Sequence, residues 1–253
     1  MNRSLLFFIL LGCASFLQGQ SSSGLFEYKS VDVQVNYGLQ IPVGVLAERY
    51  GFNFTLGGKV DYRWPQSKFL VGIDGIYIFG SRVKEDVVAP IYNKDKVIYG
   101  AGGLPALIFL RERGFNLGGH FGKIWRLPSK KNWHGIRTTL GIGVLSHKII
   151  VFDDTRSSLQ FLAPYDAGYD RLTYGFSSRI DIGYQYFSKN NRINFYTGFH
   201  FIQALTKNRR DWNFSPDRPI DKGVRLDVLM GWELGWVIPF YFGEGHKDKL
   251  IYY

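Results

Sequence analysis

Cysteine is almost missing from this chain, which has 253 residues and a single cysteine, Cys13. One cysteine excludes an internal disulfide and a metal site built from cysteines. Long apolar runs are also scarce: beyond the first twenty residues, no segment approaches the ~20 apolar residues that a transmembrane helix needs. A chain of this kind that crosses a membrane must do so as a closed β-barrel, because only closure then satisfies its backbone hydrogen bonds in lipid.

The first nineteen residues have the layout of a secretory signal peptide. A short basic start precedes an apolar run at 5–11, and small or polar residues continue to Gln20. We expect cleavage after Gly19, with cleavage after Ala14 as an alternative. A third interpretation is a lipobox, formed by Leu-Leu-Gly and the following Cys13, which would make that cysteine the lipidated first residue. In each case the chain is predicted to be exported.

Strand periodicity is clearest at 172–186, where apolar and polar residues alternate. Successive side chains of a strand lie on opposite faces, so this segment has one apolar face and one face with full charges. Aromatic residues crowd the apolar face. This pattern, behind an export signal, is typical of a barrel with lipid outside and polar groups within. The alternative is a soluble β-sandwich with its charged face in water.

Eight segments show this alternation, and each has the ~9–11 residues that a tilted transmembrane strand needs. They are 31–41, 52–64, 69–79, 115–125, 136–148, 172–186, 192–202 and 224–242. The predicted fold is all-β, an eight-stranded antiparallel transmembrane β-barrel. The predicted organisation is a signal peptide (1–19), an N-terminal periplasmic lead (20–30), the barrel (31–242) and a C-terminal tail (243–253).

The connections between these segments alternate in length. Short turns are predicted at 65–68, 128–133 and 188–191, and longer connections at 42–50, 80–114, 152–170 and 206–223. Short periplasmic turns and longer extracellular loops are typical of outer-membrane barrels. A soluble sandwich predicts no such regularity. The sequence therefore predicts an exported protein of a Gram-negative outer membrane.

Charged residues fall on the predicted inner face of most strands. An eight-stranded barrel is just wide enough for its own side chains to fill, and buried charges must be paired. We therefore predict a salt-bridged network that closes the lumen, with a proton or ion path as the alternative. Its predicted members are Lys59, Asp61, Arg63, Asp74, Arg137, Arg179, Asp181, Arg225, Asp227 and Glu233.

The long connections are where surface function is expected. Arg209, Arg210 and Trp212 are candidate contacts to lipopolysaccharide phosphates or to a protein partner. The acidic connection at 153–170 is expected to carry solvated charge, with calcium or carbohydrate binding as an alternative. The apolar run at 104–110 is expected either to pack over the barrel mouth or to lengthen the fourth strand.

An enzymatic alternative depends on one local pair, Ser146 and His147, with Asp153 or Asp154 to orient the histidine. Lipid-directed hydrolysis needs such a nucleophile and base at a membrane edge. No recognised motif surrounds the pair. We therefore predict no catalytic residue, no metal site and no cofactor.

The net charge of +10 raises the question of nucleic-acid binding. Basic surfaces attract nucleic acids, but export removes the chain from them. The expected partners are instead outer-membrane lipids, lipopolysaccharide and other envelope proteins.

Several features resemble the small outer-membrane β-barrel proteins of Bacteroidota. They are the glutamine at the predicted mature start, the bend from Pro42 and Gly44 to Arg49-Tyr50-Gly51, and the closing strand 231–242, Gly-Trp-Glu-Leu-Gly-Trp-Val-Ile-Pro-Phe-Tyr-Phe. The resemblance includes the PorT-like proteins of type IX secretion and gliding. It implies a non-enzymatic accessory or scaffold role in an envelope machine. The alternatives are a lipid A-modifying enzyme and a narrow channel or ligand-uptake barrel.

Overall fold

A computed structural model describes residues 29–95, 97–100, 103–128, 133–154, 158–162, 164–188, 193–214, 218–220 and 222–242. The predicted signal peptide, the lipidation candidate Cys13 and the C-terminal tail lie outside the described residues. Most of the predicted 20–30 lead also lies outside them, and its last two residues belong to the first strand.

Eight long strands form the wall of the molecule. Their bounds are β1 Lys29–Val43, β2 Asn53–Arg63, β3 Phe69–Gly80, β4 Ile108–Arg126, β5 Trp133–Asp153, β6 Thr173–Phe187, β7 Asn194–Asn208 and β10 Arg225–Phe242. The shorter elements are helix α1 Val45–Arg49, the 3₁₀ turns Ala89–Ile91, Leu159–Phe161 and Tyr165–Gly168, and the two-residue strands β8 Trp212–Asn213 and β9 Arg218–Pro219.

Each wall strand pairs antiparallel with its neighbours, and β10 pairs with β1 to close the ring. Val35 of β1, for example, lies opposite Trp236 of β10 on one side and Gly58 of β2 on the other. The predicted closed, eight-stranded antiparallel barrel is therefore confirmed.

The outer surface of the barrel is apolar on all eight strands. Ile73, Leu117 and Phe199 are 60–69% exposed, whereas the adjacent inward residues Asp74 and His200 are almost fully buried. A soluble protein rarely exposes an apolar surface of this extent, but a transmembrane barrel requires one. The structure is thus a transmembrane β-barrel. No helix in the described ranges is long and apolar enough to span a membrane.

Several strands are longer than predicted. The strand predicted at 115–125 is Ile108–Arg126, and the one predicted at 136–148 is Trp133–Asp153. The connection predicted at 80–114 therefore spans only 81–107. The prediction was too short because basic residues interrupt the apolar face above residue 115. The 104–110 run does both things expected of it: Ile108–Leu110 extends β4, and its inward side chains pack over the mouth.

Two apolar layers close the interior at opposite ends. At the end with the long connections, which we call the loop end, strand residues meet residues from α1 and the connections. This loop-end cluster contains Leu46, Tyr50, Ile76, Ile78, Val87, Val88, Ile98, Leu145, Ile149, Phe161, Tyr169, Ile202, Ala204 and Leu229. At the opposite turn end, the turn-end cluster contains Leu70, Ile124, Trp133, Phe187, Tyr196 and Val237. The polar interior lies between these layers.

Helix α1 fills part of the first connection and brings Leu46 and Tyr50 over the mouth. Gly44 joins β1 to the helix with a positive φ of 65°, a conformation that glycine adopts without steric cost. The helix ends as the chain returns to extended backbone at Tyr50. The predicted 42–50 bend is therefore a short helical cap, which strand periodicity alone did not indicate.

Candidate functional site

The centre of the lumen is an ion-pair network contributed by different strands. Lys59 of β2 places its Nζ 3.0 Å from Asp181 Oδ1 and 2.6 Å from Glu233 Oε1. Arg179 of β6 donates to Asp181 at 2.7 Å, to Glu233 at 3.0 Å and to Asp74 at 3.2 Å. All five side chains are almost fully buried. Two cations thus bind three carboxylates across the middle of the barrel.

A second group continues the network through His120. Its Nδ1 lies 2.8 Å from Asp74 Oδ1, and its Nε2 lies 2.6 Å from Asp61 Oδ1. Arg137 contacts the other oxygen of Asp61 at 2.9 Å. His120 therefore links the central ion pairs to Asp61 and Arg137, and the charged layer spans the lumen.

Inward-facing glycines make room for the large polar side chains. A Cβ at Gly183 would lie 2.5 Å from the ring of Tyr196, and a Cβ at Gly231 would lie 2.4 Å from His200 Nε2. Real Cβ atoms do not approach other groups this closely. These two strand positions therefore require glycine, because a neighbouring ring occupies the space that a side chain would fill.

The turn end is closed around one arginine. Arg63 donates from Nε to Asp32 Oδ2 at 3.0 Å, and its guanidinium lies 5.4 Å from the centre of the Trp133 ring and 5.2 Å from that of Phe187. Ser30 donates to the same Asp32 at 2.8 Å. A cation packed against two aromatic rings and a carboxylate thus covers the described part of this end.

Asp227 has a separate set of partners near the loop end. His147 Nε2 lies 2.9 Å from its Oδ2, and Thr206 donates to the same oxygen at 2.5 Å. The Tyr50 hydroxyl lies 3.3 Å from Nδ1 of the same histidine. Arg225 is half-buried at the rim, where it donates to Thr173 at 3.2 Å and forms no ion pair among the described residues. The structure thus places nine of the ten predicted lumen residues deep inside and leaves Arg225 at the edge.

Sequence reasoning missed a latch that joins three parts of the loop end. Glu85 accepts from Arg49 of α1 at 2.7 Å and from Arg171, before β6, at 2.9 Å. Arg171 also donates to Asn213 of β8. Burial raises the pKa of Glu85, but the positive charges of Arg49 and Arg171 outweigh it and hold that pKa below its usual value. We call Glu85, Arg49 and Arg171 the loop-end latch.

The predicted loop contacts are mostly engaged with neighbouring residues. Arg210 pairs with Asp170 at 2.5 Å, which gives this member of the acidic 153–170 connection a partner within the protein. The guanidinium of Arg209 lies 3.8 Å from the centre of the Tyr174 ring. Trp212 lies in β8 with its side chain 44% exposed. Of the three candidates, Trp212 offers the most open apolar surface.

The structure does not assemble the proposed catalytic pair. Ser146 and His147 are consecutive residues of β5, so their side chains lie on opposite faces of the wall. Nδ1 of His147 lies near the Tyr50 hydroxyl and Nε2 lies near Asp227, so neither Asp153 nor Asp154 orients the ring. Adjacent positions in a strand are separated by the wall, which is why proximity in sequence was misleading here.

One group in the described lumen has donor atoms close enough to hold a metal ion. Asp181, His200 and Glu233 offer ligand atoms within 4.8 Å of one another. However, Lys59 and Arg179 contact both carboxylates, so positive charge already occupies the position that a cation would take. The donor set therefore fits an ion-pair network better than a metal centre.

No protein-family model matches the chain, and no curated protein matches it in sequence. Among solved structures it is similar to Ail, the attachment invasion locus protein of Yersinia pestis, in complex with the heparin analogue sucrose octasulfate, with 12% identity, TM-score 0.42 and coverage of 84% of this chain and 99% of Ail. It is also similar to the N-terminal β-barrel domain of Pseudomonas aeruginosa OprF, with 9% identity, TM-score 0.34 and coverage of 83% of this chain and 98% of that domain. A third similar structure is the outer membrane protein AlkL, with 8% identity, TM-score 0.36 and coverage of 89% of this chain and 96% of AlkL. Identities and TM-scores this low carry no function over to this chain. The assignment as a barrel rests on the strand pairing and the apolar exterior described above.

Proposed function

We propose that this chain is a non-enzymatic outer-membrane barrel that serves as an accessory or scaffold component of an envelope machine. The observation that carries the proposal is the filled interior, in which two apolar layers enclose a charged layer. A barrel filled in this way offers its loops and its outer wall for function. The predicted export signal and the lipid-facing exterior support the outer membrane as its location.

The finer proposal is a role in type IX secretion or gliding, and it rests on the resemblance to PorT-like proteins. The loop end supports a docking role because α1, the 81–107 connection and the segment before β6 are tied together by the loop-end latch. A surface held rigid in this way loses little conformational entropy when it binds a partner. Trp212 lies exposed on this surface.

A crosslinked pull-down of the tagged protein from detergent-solubilised outer membrane tests this proposal. We expect stoichiometric recovery of one or a few envelope proteins. Trp212→Ala should reduce the recovery, because exposed aromatic residues often carry much of an interface's binding energy. Lys123→Gln is a suitable control, since Lys123 lies at the turn end beside Trp125. Recovery of the barrel with lipid alone would contradict the accessory role.

Conductance measurements in planar bilayers address the channel alternative. The purified barrel should give no stable current steps, because both ends of its lumen are closed. Reproducible steps would favour the narrow channel or uptake barrel over a scaffold. They would also show that the loop-end cluster or the Arg63 seal opens in a bilayer.

A further inference from the structure

The β4–β5 hairpin projects beyond the rest of the barrel wall. Pairing of β3 with β4 stops at Gly80 and Glu112, and pairing of β5 with β6 stops at His147 and Thr173. The β4–β5 ladder continues for four more pairs past Glu112, to Ile108 and Asp153. At about 3.4 Å per residue, this extension reaches roughly 14 Å along the strand past the end of the pairing with β3.

The two faces of this extension have different environments. Its inward side chains, including Ile108, Leu110 and Val151, pack against the loop-end cluster. On the outward face, Phe109 and Phe152 lie directly opposite each other and remain 50% and 39% exposed. These rings lie well above the rim, and a large part of each remains uncovered by the described chain.

Below the two rings, the same outward face carries uncompensated positive charge. Arg113 of β4 and Lys148 of β5 are direct cross-strand partners, on the face that carries Phe115 and Val144 lower down. Arg111 lies one outward position higher, with its guanidinium 4.4 Å from the centre of the Phe152 ring. None of these three cations forms an ion pair with any residue that the structure describes.

Like charges directly opposite each other destabilise a sheet. A bound anion would remove that repulsion, and arginine and lysine both bind phosphate well. The height of the pair on the wall indicates where the anion comes from. Between Trp125 and Phe115, β4 rises about 25 Å along the barrel axis at the usual tilt, which matches the apolar band of an outer-membrane barrel. Arg113 and Lys148 therefore lie at headgroup level on the loop side.

We propose that the outward face of this hairpin binds the phosphorylated sugar headgroup of an outer-leaflet glycolipid. Arg111, Arg113 and Lys148 hold the phosphate, and the apolar face of the sugar packs on Phe109 and Phe152. The acyl chains then lie along the apolar wall below, beside Phe115 and Leu117, which are both exposed. This inference rests on the outer-membrane location proposed above, but it does not depend on an accessory role.

Native mass spectrometry of the purified barrel in detergent, with bis-phosphorylated lipid A as the probe, tests this site. The double variant Arg113→Gln/Lys148→Gln should bind about thirtyfold more weakly, at ~1 kcal/mol for each basic residue near a lipid surface. Lys148→Arg should retain binding, because the charge stays in place. Lys123→Gln, at the opposite end, is the matched control and should bind like the parent. Heat-modifiability on a gel shows that each variant is folded.

Two further probes, dephosphorylated lipid A and phosphatidylglycerol, test the basic residues and the aromatic rings of the site separately. Loss of the phosphates should weaken binding as much as the double variant does. Phe109→Leu/Phe152→Leu should weaken lipid A binding severalfold and leave phosphatidylglycerol binding unchanged. Equal binding by the parent and the folded double variant would overturn the proposal, and so would an equal loss in Lys123→Gln. Because the assay uses isolated protein and lipid, its result is independent of the pull-down.

Discussion

Replacing Arg179 with methionine should strongly destabilise the barrel. Arg179 binds Asp74, Asp181 and Glu233 at once and is 4% exposed. The ion pairs of the charged layer join three Lys or Arg side chains to four carboxylates, with His120 between two of the carboxylates. Without Arg179, two such cations remain for four buried carboxylates.

The magnitude follows from the cost of a buried charge that has lost its partner. Removing one member of a buried ion pair typically costs about 3–5 kcal/mol, because the remaining charge is neither hydrated nor compensated. Urea unfolding of the barrel in detergent micelles, followed by tryptophan fluorescence, measures this loss. The unfolding midpoint should fall by on the order of 1 M urea or more.

Two controls make this prediction specific. Lys123→Met removes an outward cation that lies near Trp125 and Phe69, and it should cost no more than about 1 kcal/mol. In a double-mutant cycle, Arg179→Met and Asp181→Leu should show a coupling energy of roughly 0.5–3 kcal/mol. A loss below about 1 kcal/mol for folded Arg179→Met would refute the charged layer as a stabilising element.

The remaining predictions concern the loop-end latch and the strand glycines. Glu85→Gln should increase hydrogen exchange at 81–107, whereas Lys222→Gln in an exposed ion pair should not. In the parent, the depressed pKa of Glu85 means that the latch is fully formed above the ordinary value of 4.5 and is lost as pH falls through the lower folded value. Protection from exchange at 81–107, taken relative to the intrinsic exchange rate at each pH, should therefore fall only in acid, and a fall near neutral pH would contradict this assignment. Gly183→Leu should prevent folding, as read on a heat-modifiability gel, because its Cβ would meet the Tyr196 ring. Gly119→Leu should fold, because a Cβ there lies 3.7 Å from its nearest neighbour. The reverse order would refute the packing argument.

Local sequence was sufficient for the wall and insufficient for the pairings inside it. The alternation at 172–186 assigned Arg179 and Asp181 to the polar face, as the structure has them. Their partner Glu233 comes from β10, and Lys59 lies 174 positions away from it in sequence. Such a pairing depends on closure and register, which alternation within one segment does not report.

The connections were predicted least well because they have no periodicity to read. The bend at 42–50 contains a helix, and Glu85 joins two arginines that nothing in their sequence neighbourhood connects.

The inward face of strand β3 was also ambiguous in the sequence. Ile76 and Ile78 face inward into the loop-end cluster, so both faces of that strand are apolar and alternation has little contrast.

The sequence by itself determined the class of fold and the face on which each strand residue lies. The physical reason is that a strand has a period of two, and in lipid a closed barrel is the arrangement that satisfies the strand hydrogen bonds. Tertiary structure alone decided which charges meet, how both ends of the lumen are sealed and that Arg113 lies opposite Lys148. These features depend on the register between strands and on how the connections fold over the mouth, and both are set by packing among residues that are distant in the chain.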